Sequence, residues 1–144
     1  MNDYRGFTVP GEPIGKGRPK FSTAGGFAKA YTPAKTVNFE NLVKLMYQYR
    51  HGDKKPFDKD VNLRIVITAI FQIPKSASKV KASGMKKGAI RPTKKPDTDN
   101  VAKAICDALN GVAYHDDAQI VELTVKKYYG DIPETKVEIM EVET

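Results

Sequence analysis

The chain is poor in the residues that bind soft metals or form crosslinks. Its 144 residues include one cysteine, Cys106, and two histidines. A single thiol excludes any disulfide within the chain and any cysteine-rich zinc site, and two histidines argue against a zinc centre built on imidazole. Long apolar runs are also missing, and none approaches the roughly 20 residues that a membrane helix needs. The segment from Met1 to Pro10 is polar and lacks the apolar stretch of a signal peptide. A soluble, cytoplasmic protein without membrane contact is therefore expected. The 40% hydrophobic content is ordinary for a globular fold. A chain of this length suits one domain, expected over residues 1–144. Any metal would have to be held by oxygen, which points to magnesium or manganese.

Acid is missing from one long segment. Between Pro74 and Pro96 stand Lys75, Lys79, Lys81, Lys86, Lys87, Arg91, Lys94 and Lys95, with no Asp or Glu. The remainder of the chain is close to neutral, although the formal net charge is +7. Such a block is an electrostatic footprint for a polyanion, nucleic acid being the commonest, and residues 74–96 are expected to be a DNA-contacting loop. A solvated surface loop explains the same composition.

The pattern of elements begins with a first strand over Tyr4–Val9. A Gly- and Pro-rich loop follows over residues 10–20, and Phe21–Tyr31 reads as a hairpin turned at Gly25-Gly26. Thr32-Pro33 has the form of an N-cap followed by proline at the first helical position. The helix that follows carries Phe39, Leu42, Val43, Met46 and Tyr49 at helical spacing and stops at Gly52. Val61–Ile73 reads as a central strand buried on both faces. Val101, Ala104, Ile105, Ala108 and Leu109 define a second helix. Asp99 is its expected N-cap and Asn110-Gly111 its stop. Two strands close the chain, at Gln119–Tyr129 and Lys136–Val142. This order predicts an α+β domain with a mixed sheet and two main helices.

Two acidic clusters flank the second helix, Asp97-Thr98-Asp99-Asn100 before it and Asp116-Asp117 after it. The return of the chain is expected to bring the second cluster beside the first, so that three carboxylates converge. Converging carboxylates repel each other and call for a cation. Magnesium suits oxygen ligands and can polarise a phosphoryl oxygen. Lys103, one turn after Asp99, could reach the scissile phosphate. Each residue also has a plainer role: Asp99 as a cap, Asp97 and Asp116-Asp117 as turn formers, and Lys103 with Asp107 as a surface i, i+4 pair.

The string Asp97-Thr98-Asp99-Asn100-Val101-Ala102-Lys103, then Asp107-Ala108-Leu109, then Asp116-Asp117-Ala118-Gln119-Ile120 resembles the signature of the RusA family of Holliday junction resolvases. That signature runs D-x-D-N-x-x-K, D-A-L, D-D-x-Q-hydrophobic, and every element is present over residues 97–120. Gly15–Phe21 and Tyr31-Thr32-Pro33 also resemble segments of phage-associated members. The resemblance implies a homodimer with a mixed sheet and flanking helices. It implies paired nicks in a four-way DNA junction, with magnesium (or manganese) as cofactor and a 5′ phosphate left behind. Asp97, Asp99 and Asp117 are then the metal-holding catalytic carboxylates, Lys103 the essential lysine and Asp116 an accessory.

Other motifs carry less. Gly11–Gly17 fails as a P-loop, being one residue short and lacking the Ser or Thr that binds magnesium, so no nucleotide cofactor is expected. Arg18 and Lys20 in that region could touch phosphate. His115 reads as loop filling, Cys106 as a small helix residue, and Tyr128 and Tyr129 as at least partly core. Two rival functions stand beside the resolvase: a structure-selective DNA-binding protein without catalysis, and a metal nuclease acting on other branched DNA.

Overall fold

The fold is that of a computed structural model, which describes residues 3–26 and 28–143. Strand β1 (Tyr4–Pro10) enters at one edge of a sheet. A short hairpin follows, β2 (Lys20–Ser22) and β3 (Lys29–Tyr31), and leads to helix α1 (Ala34–His51). Strand β4 (Leu63–Gln72), helix α2 (Lys79–Lys86), helix α3 (Thr98–Leu109), strand β5 (Ile120–Gly130) and strand β6 (Glu134–Glu141) complete the chain. The main sheet has the order β1-β6-β4-β5. Strands β4 and β5 run parallel, whereas β6 is antiparallel to both β1 and β4, so the sheet is mixed. The expected α+β class is borne out, with three α-helices among the described residues rather than two main ones.

Alternation selects the core face. On β4, Leu63, Ile65, Ile67, Ala69 and Phe71 are buried, while Val66, Thr68 and Ile70 on the opposite side are half-buried. The expected burial on both faces is therefore corrected to one closed face and one partly open face. Val137 and Ile139 of β6 and Phe7 and Val9 of β1 join the closed face, and α1 and α3 cover it. In α3 the periodic residues Val101, Ala104, Ile105, Ala108 and Leu109 are buried as expected.

Helix α1 packs Phe39, Leu42, Val43 and Met46 towards the core as expected, but not Tyr49. Its buried stripe is Phe39, Val43, Tyr47 and His51, and Tyr49 is exposed. Tyr47 and His51 can be buried because their polar ends find partners. Arg5 Nη1 donates to Tyr47 Oη at 2.7 Å, and His51 Nε2 lies 2.9 Å from the Gly6 carbonyl. The helix also begins one residue later than the Thr32-Pro33 reading, with Pro33 at the cap position and no side chain closing it.

The basic segment is not a plain loop. Ser78 caps α2 by accepting from the Lys81 N–H at 3.2 Å, and Met85 anchors the helix in the interior. Lys79, Lys81 and Lys86 therefore lie on a helix.

Candidate nuclease site around helix α3

Asp97 is the N-cap residue of α3, in place of the expected Asp99, and Asp99 stands in the first turn. Neither carboxylate serves the fold. The Asp97 carbonyl accepts the Val101 N–H at 3.0 Å, but its side chain makes no cap hydrogen bond, and among the described residues neither the Asp97 nor the Asp99 carboxylate has a hydrogen bond or ion pair. Both are exposed. They sit at the positive end of the helix dipole, where negative charge is tolerated.

The far end of α3 holds the second cluster. Asn110, the C-cap, accepts the backbone N–H of Asp117 through Oδ1 at 2.8 Å. Asp116 caps a 3-10 turn over Asp117–Gln119, accepting the Ala118 N–H at 3.0 Å. The buried Gln119 closes this turn. Its Oε1 accepts the N–H groups of His115 and Asp116 at 2.9 and 3.1 Å. Its Nε2 donates to the carbonyls of Asp58 and Val61 at 2.7 and 3.2 Å. The glutamine of the motif is thus the clamp that holds the acidic turn to the rest of the molecule. Asp116 has a structural duty that its accessory reading did not include.

The Asp117 carboxyl is held above its ordinary value, first by burial and then by the neighbouring Asp116, with Asp107 adding to the effect and Asn110 opposing it. Asp116 moves the other way, lowered first by the Ala118 N–H and then by Asp117. His115 is exposed beside them.

A lysine not assigned from the sequence links the parts. Lys16 Nζ lies 2.9 Å from Glu40 and 3.2 Å from Asp107. Its backbone N–H donates to the Asn100 carbonyl at 2.9 Å. Burial alone would lower the Lys16 ammonium, but Glu40 and Asp107 outweigh it and raise it. Asp107 also faces Lys103 at 3.8 Å, so the expected i, i+4 pair is present, and the Lys103 side chain stays 63% exposed.

The expected convergence of three carboxylates is not found as a group among the described residues of one chain. Asn110 stands eleven positions after Asp99, a rise of about 16 Å along the helix. Among the described residues no three His, Cys, Asp or Glu side chains are grouped closely enough to hold a metal ion.

The ten basic residues expected to touch DNA, Arg18, Lys20, Lys75, Lys79, Lys81, Lys86, Lys87, Arg91, Lys94 and Lys95, are all exposed. Arg91 lies over the Tyr128 ring at 4.2 Å and donates to the Lys127 carbonyl at 2.9 Å. Lys94 and Lys95 stand just before Asp97, at the rim of a cleft of about 540 Å³ floored in part by Phe71. Tyr129 packs against the core and Tyr128 is half-buried. A second acid-free stretch is easily missed in the sequence. Residues 13–39 contain Lys16, Arg18, Lys20, Lys29 and Lys35 and no Asp or Glu, a signal that counting only the densest basic run conceals.

Unpaired carboxylates at a helix start, a second carboxylate pair beyond its other end and a cationic surface leading to them are the kinds of group that a phosphodiester-cleaving site uses. The pattern of the family described as Endodeoxyribonuclease RusA matches residues 10–140, and the chain belongs to that family. A protein of Bacillus subtilis (strain 168), called "Uncharacterized protein YqaN", is similar: it is 38% identical over 136 residues, covering 94% of this chain and 95% of that relative.

Proposed function

We propose that the chain is a Holliday junction resolvase, a magnesium-dependent endonuclease that introduces paired nicks into four-way DNA junctions. The observation that carries this reading is the state of Asp97 and Asp99. Both are exposed and, among the described residues, their carboxylates are without a protein partner, just after the basic segment that ends at Lys95. A protein that only bound DNA would gain nothing by setting free carboxylates beside the phosphates its lysines attract.

The donor set fits magnesium. It consists of hard carboxylate oxygens, and the Asp117 carboxyl, raised first by burial and then by the neighbouring Asp116, sits beside like charge that a divalent cation would offset. Asp97, Asp99 and Asp117 would hold the ion, which when bound supplies polarisation of the phosphoryl oxygen and a more acidic water. The protein's own part is positioning. Lys103, exposed and one turn beyond Asp99, offsets charge on the phosphate and is steadied by Asp107. Asn110 and Gln119 fix the backbone that carries Asp116 and Asp117.

The family resemblance implies a homodimer, and a two-fold assembly suits a junction of matching symmetry. It also offers what one chain lacks. With the two acidic groups at opposite ends of α3, a second copy supplies another of each. No described helix is long and apolar enough to cross a membrane, and the reading places the protein with DNA in the cytoplasm.

The test is cleavage of a labelled four-way junction and of linear duplex in magnesium, for wild type and Asp99→Asn. Paired nicks confined to the junction, lost in the variant while junction binding persists, are expected. A wild-type protein that binds the junction and cuts nothing in magnesium or manganese would overturn the catalytic reading.

A further inference from the structure

We propose that the β2–β3 hairpin is a wedge that enters the branch point of the DNA and unstacks bases there with Phe21. The proposal rests on the reading of this chain as a protein acting on branched DNA.

The hairpin exposes what a fold normally hides. Phe21 is 74% exposed and Tyr31 48% exposed. Strands β2 and β3 form a sheet of their own, apart from the main one, and every residue of β3 is exposed. Such apolar area facing water is unfavourable unless a partner covers it.

The charge around the hairpin identifies the partner. Of the five cations in the acid-free stretch 13–39, Lys16 is consumed by Glu40 and Asp107, while Arg18, Lys20, Lys29 and Lys35 are exposed. These four attract a polyanion. A second copy of this chain, itself at +7, would bring like charge to the same place.

Register separates the two roles. Phe21 pairs with Ala30 on one face of the hairpin, and Lys20 pairs with Tyr31 and Ser22 with Lys29 on the other. One face carries Phe21 beside the small Ala30, suited to slide between bases. The other carries the cations that follow a phosphate backbone.

The root of the hairpin is fixed beside the candidate site. The Gly17 N–H donates to Thr36 Oγ1 at 2.9 Å, and a Cβ on Gly17 would stand 2.9 Å from Pro33 Cγ. A Cβ on Gly15 would stand 2.7 Å from Pro96 Cβ, and Pro96 directly precedes Asp97. Phe21 is four residues beyond Gly17, so its backbone lies within about 14 Å of that root. A wedge anchored there opens the DNA next to the carboxylates that cut it.

The experiment compares the full-length Asp99→Asn protein with its Phe21→Ala and Phe21→Leu derivatives. Each is saturated on a four-way junction with thymines at the branch, in magnesium, with saturation confirmed by mobility shift. Unstacked thymines are read by permanganate oxidation. Binding of Asp99→Asn is expected to raise branch-point reactivity several-fold over the free junction. Phe21→Ala is expected to remove most of that rise with less than a ten-fold loss of junction affinity, and Phe21→Leu to retain it. Equal reactivity with Phe21→Ala and its parent, or no rise with the parent although the wild type cuts the junction, overturns the wedge and leaves the nuclease reading standing. A wild-type protein that fails to bind the junction overturns both.

Discussion

Asn110 and Asp117 are joined end to end: the side-chain oxygen of the residue that stops α3 takes the backbone N–H of the carboxylate that follows the turn, at 2.8 Å. A helix stop and the placing of a candidate metal ligand are thus one hydrogen bond. In Asn110→Ala the Asp117 backbone has no such acceptor. Cleavage of a four-way junction is expected to fall about ten-fold, equivalent to about 1.4 kcal/mol, and half-saturation to need more magnesium. Stability should fall by only about 1 kcal/mol, the usual net worth of one hydrogen bond. Magnesium titrations of the cleavage rate that superimpose for variant and wild type would show that this bond does not position Asp117.

Lys16 is expected to matter for stability before it matters for DNA. Its side chain is 20% exposed, and those of Glu40 and Asp107 are 15% and 26% exposed, so removal of the ammonium strands Glu40 and leaves Asp107 only its longer contact with Lys103, in a partly dry site. Breaking a fully buried pair costs about 3–5 kcal/mol. Solvent screening at this exposure reduces that to about 1–3 kcal/mol for Lys16→Met. Adding Glu40→Gln should recover part of the loss, because one stranded charge is gone. Urea denaturation of the two single variants and the double variant measures this, and strictly additive losses would deny the coupling.

Much of this arrangement was legible in the residues. The apolar stripe of α3, the parity of Val137 and Ile139 and the hairpin turning at Gly25-Gly26 all follow from period and turn chemistry. Both glycines have positive φ, at 82° and 85°. In α1 the burial of Tyr47 and His51 in place of Tyr49 was not legible, because both are polar at one end and only long-range partners, Arg5 and Gly6, make their burial possible. Helix α2 was hidden for a related reason. It is short, lysine-rich and held by a single buried residue, Met85, while Val80 points outward at 83% exposure, so no stripe marks it. In the candidate site, the motif residues were visible but their division between the two ends of α3 was not. That division depends on where the turn after Asn110 docks, and Gln119 sets it through the distant carbonyls of Asp58 and Val61.

Cys106 is expected to be chemically silent in the native protein. Burial first, and then the nearby carboxylates Asp117 and Asp107, push its thiol up to about 11. The thiolate is the reactive form, so little of it exists near pH 8. A disulfide reagent such as Ellman's should titrate no thiol at pH 8 without denaturant and one thiol per chain in guanidinium. Immediate stoichiometric reaction of the native protein would contradict the buried position.

The basic helix α2 should add affinity without adding selectivity. Lys79 and Lys81 are exposed at its first turn, and no described acidic side chain pairs with them. Side chains of this kind reach phosphate, which every DNA presents alike. Lys79→Ala with Lys81→Ala should therefore weaken junction and duplex binding by the same factor. The slope of log affinity against log salt should become shallower by about 0.9 for each phosphate that the variant leaves unneutralised. Fluorescence anisotropy at several salt concentrations gives both quantities. An unchanged slope would place α2 off the DNA path. A loss confined to the junction would mean that the helix reads branch geometry rather than backbone charge, so that selectivity would then reside in the segment from Pro74 to Pro96 rather than in the hairpin beside α3.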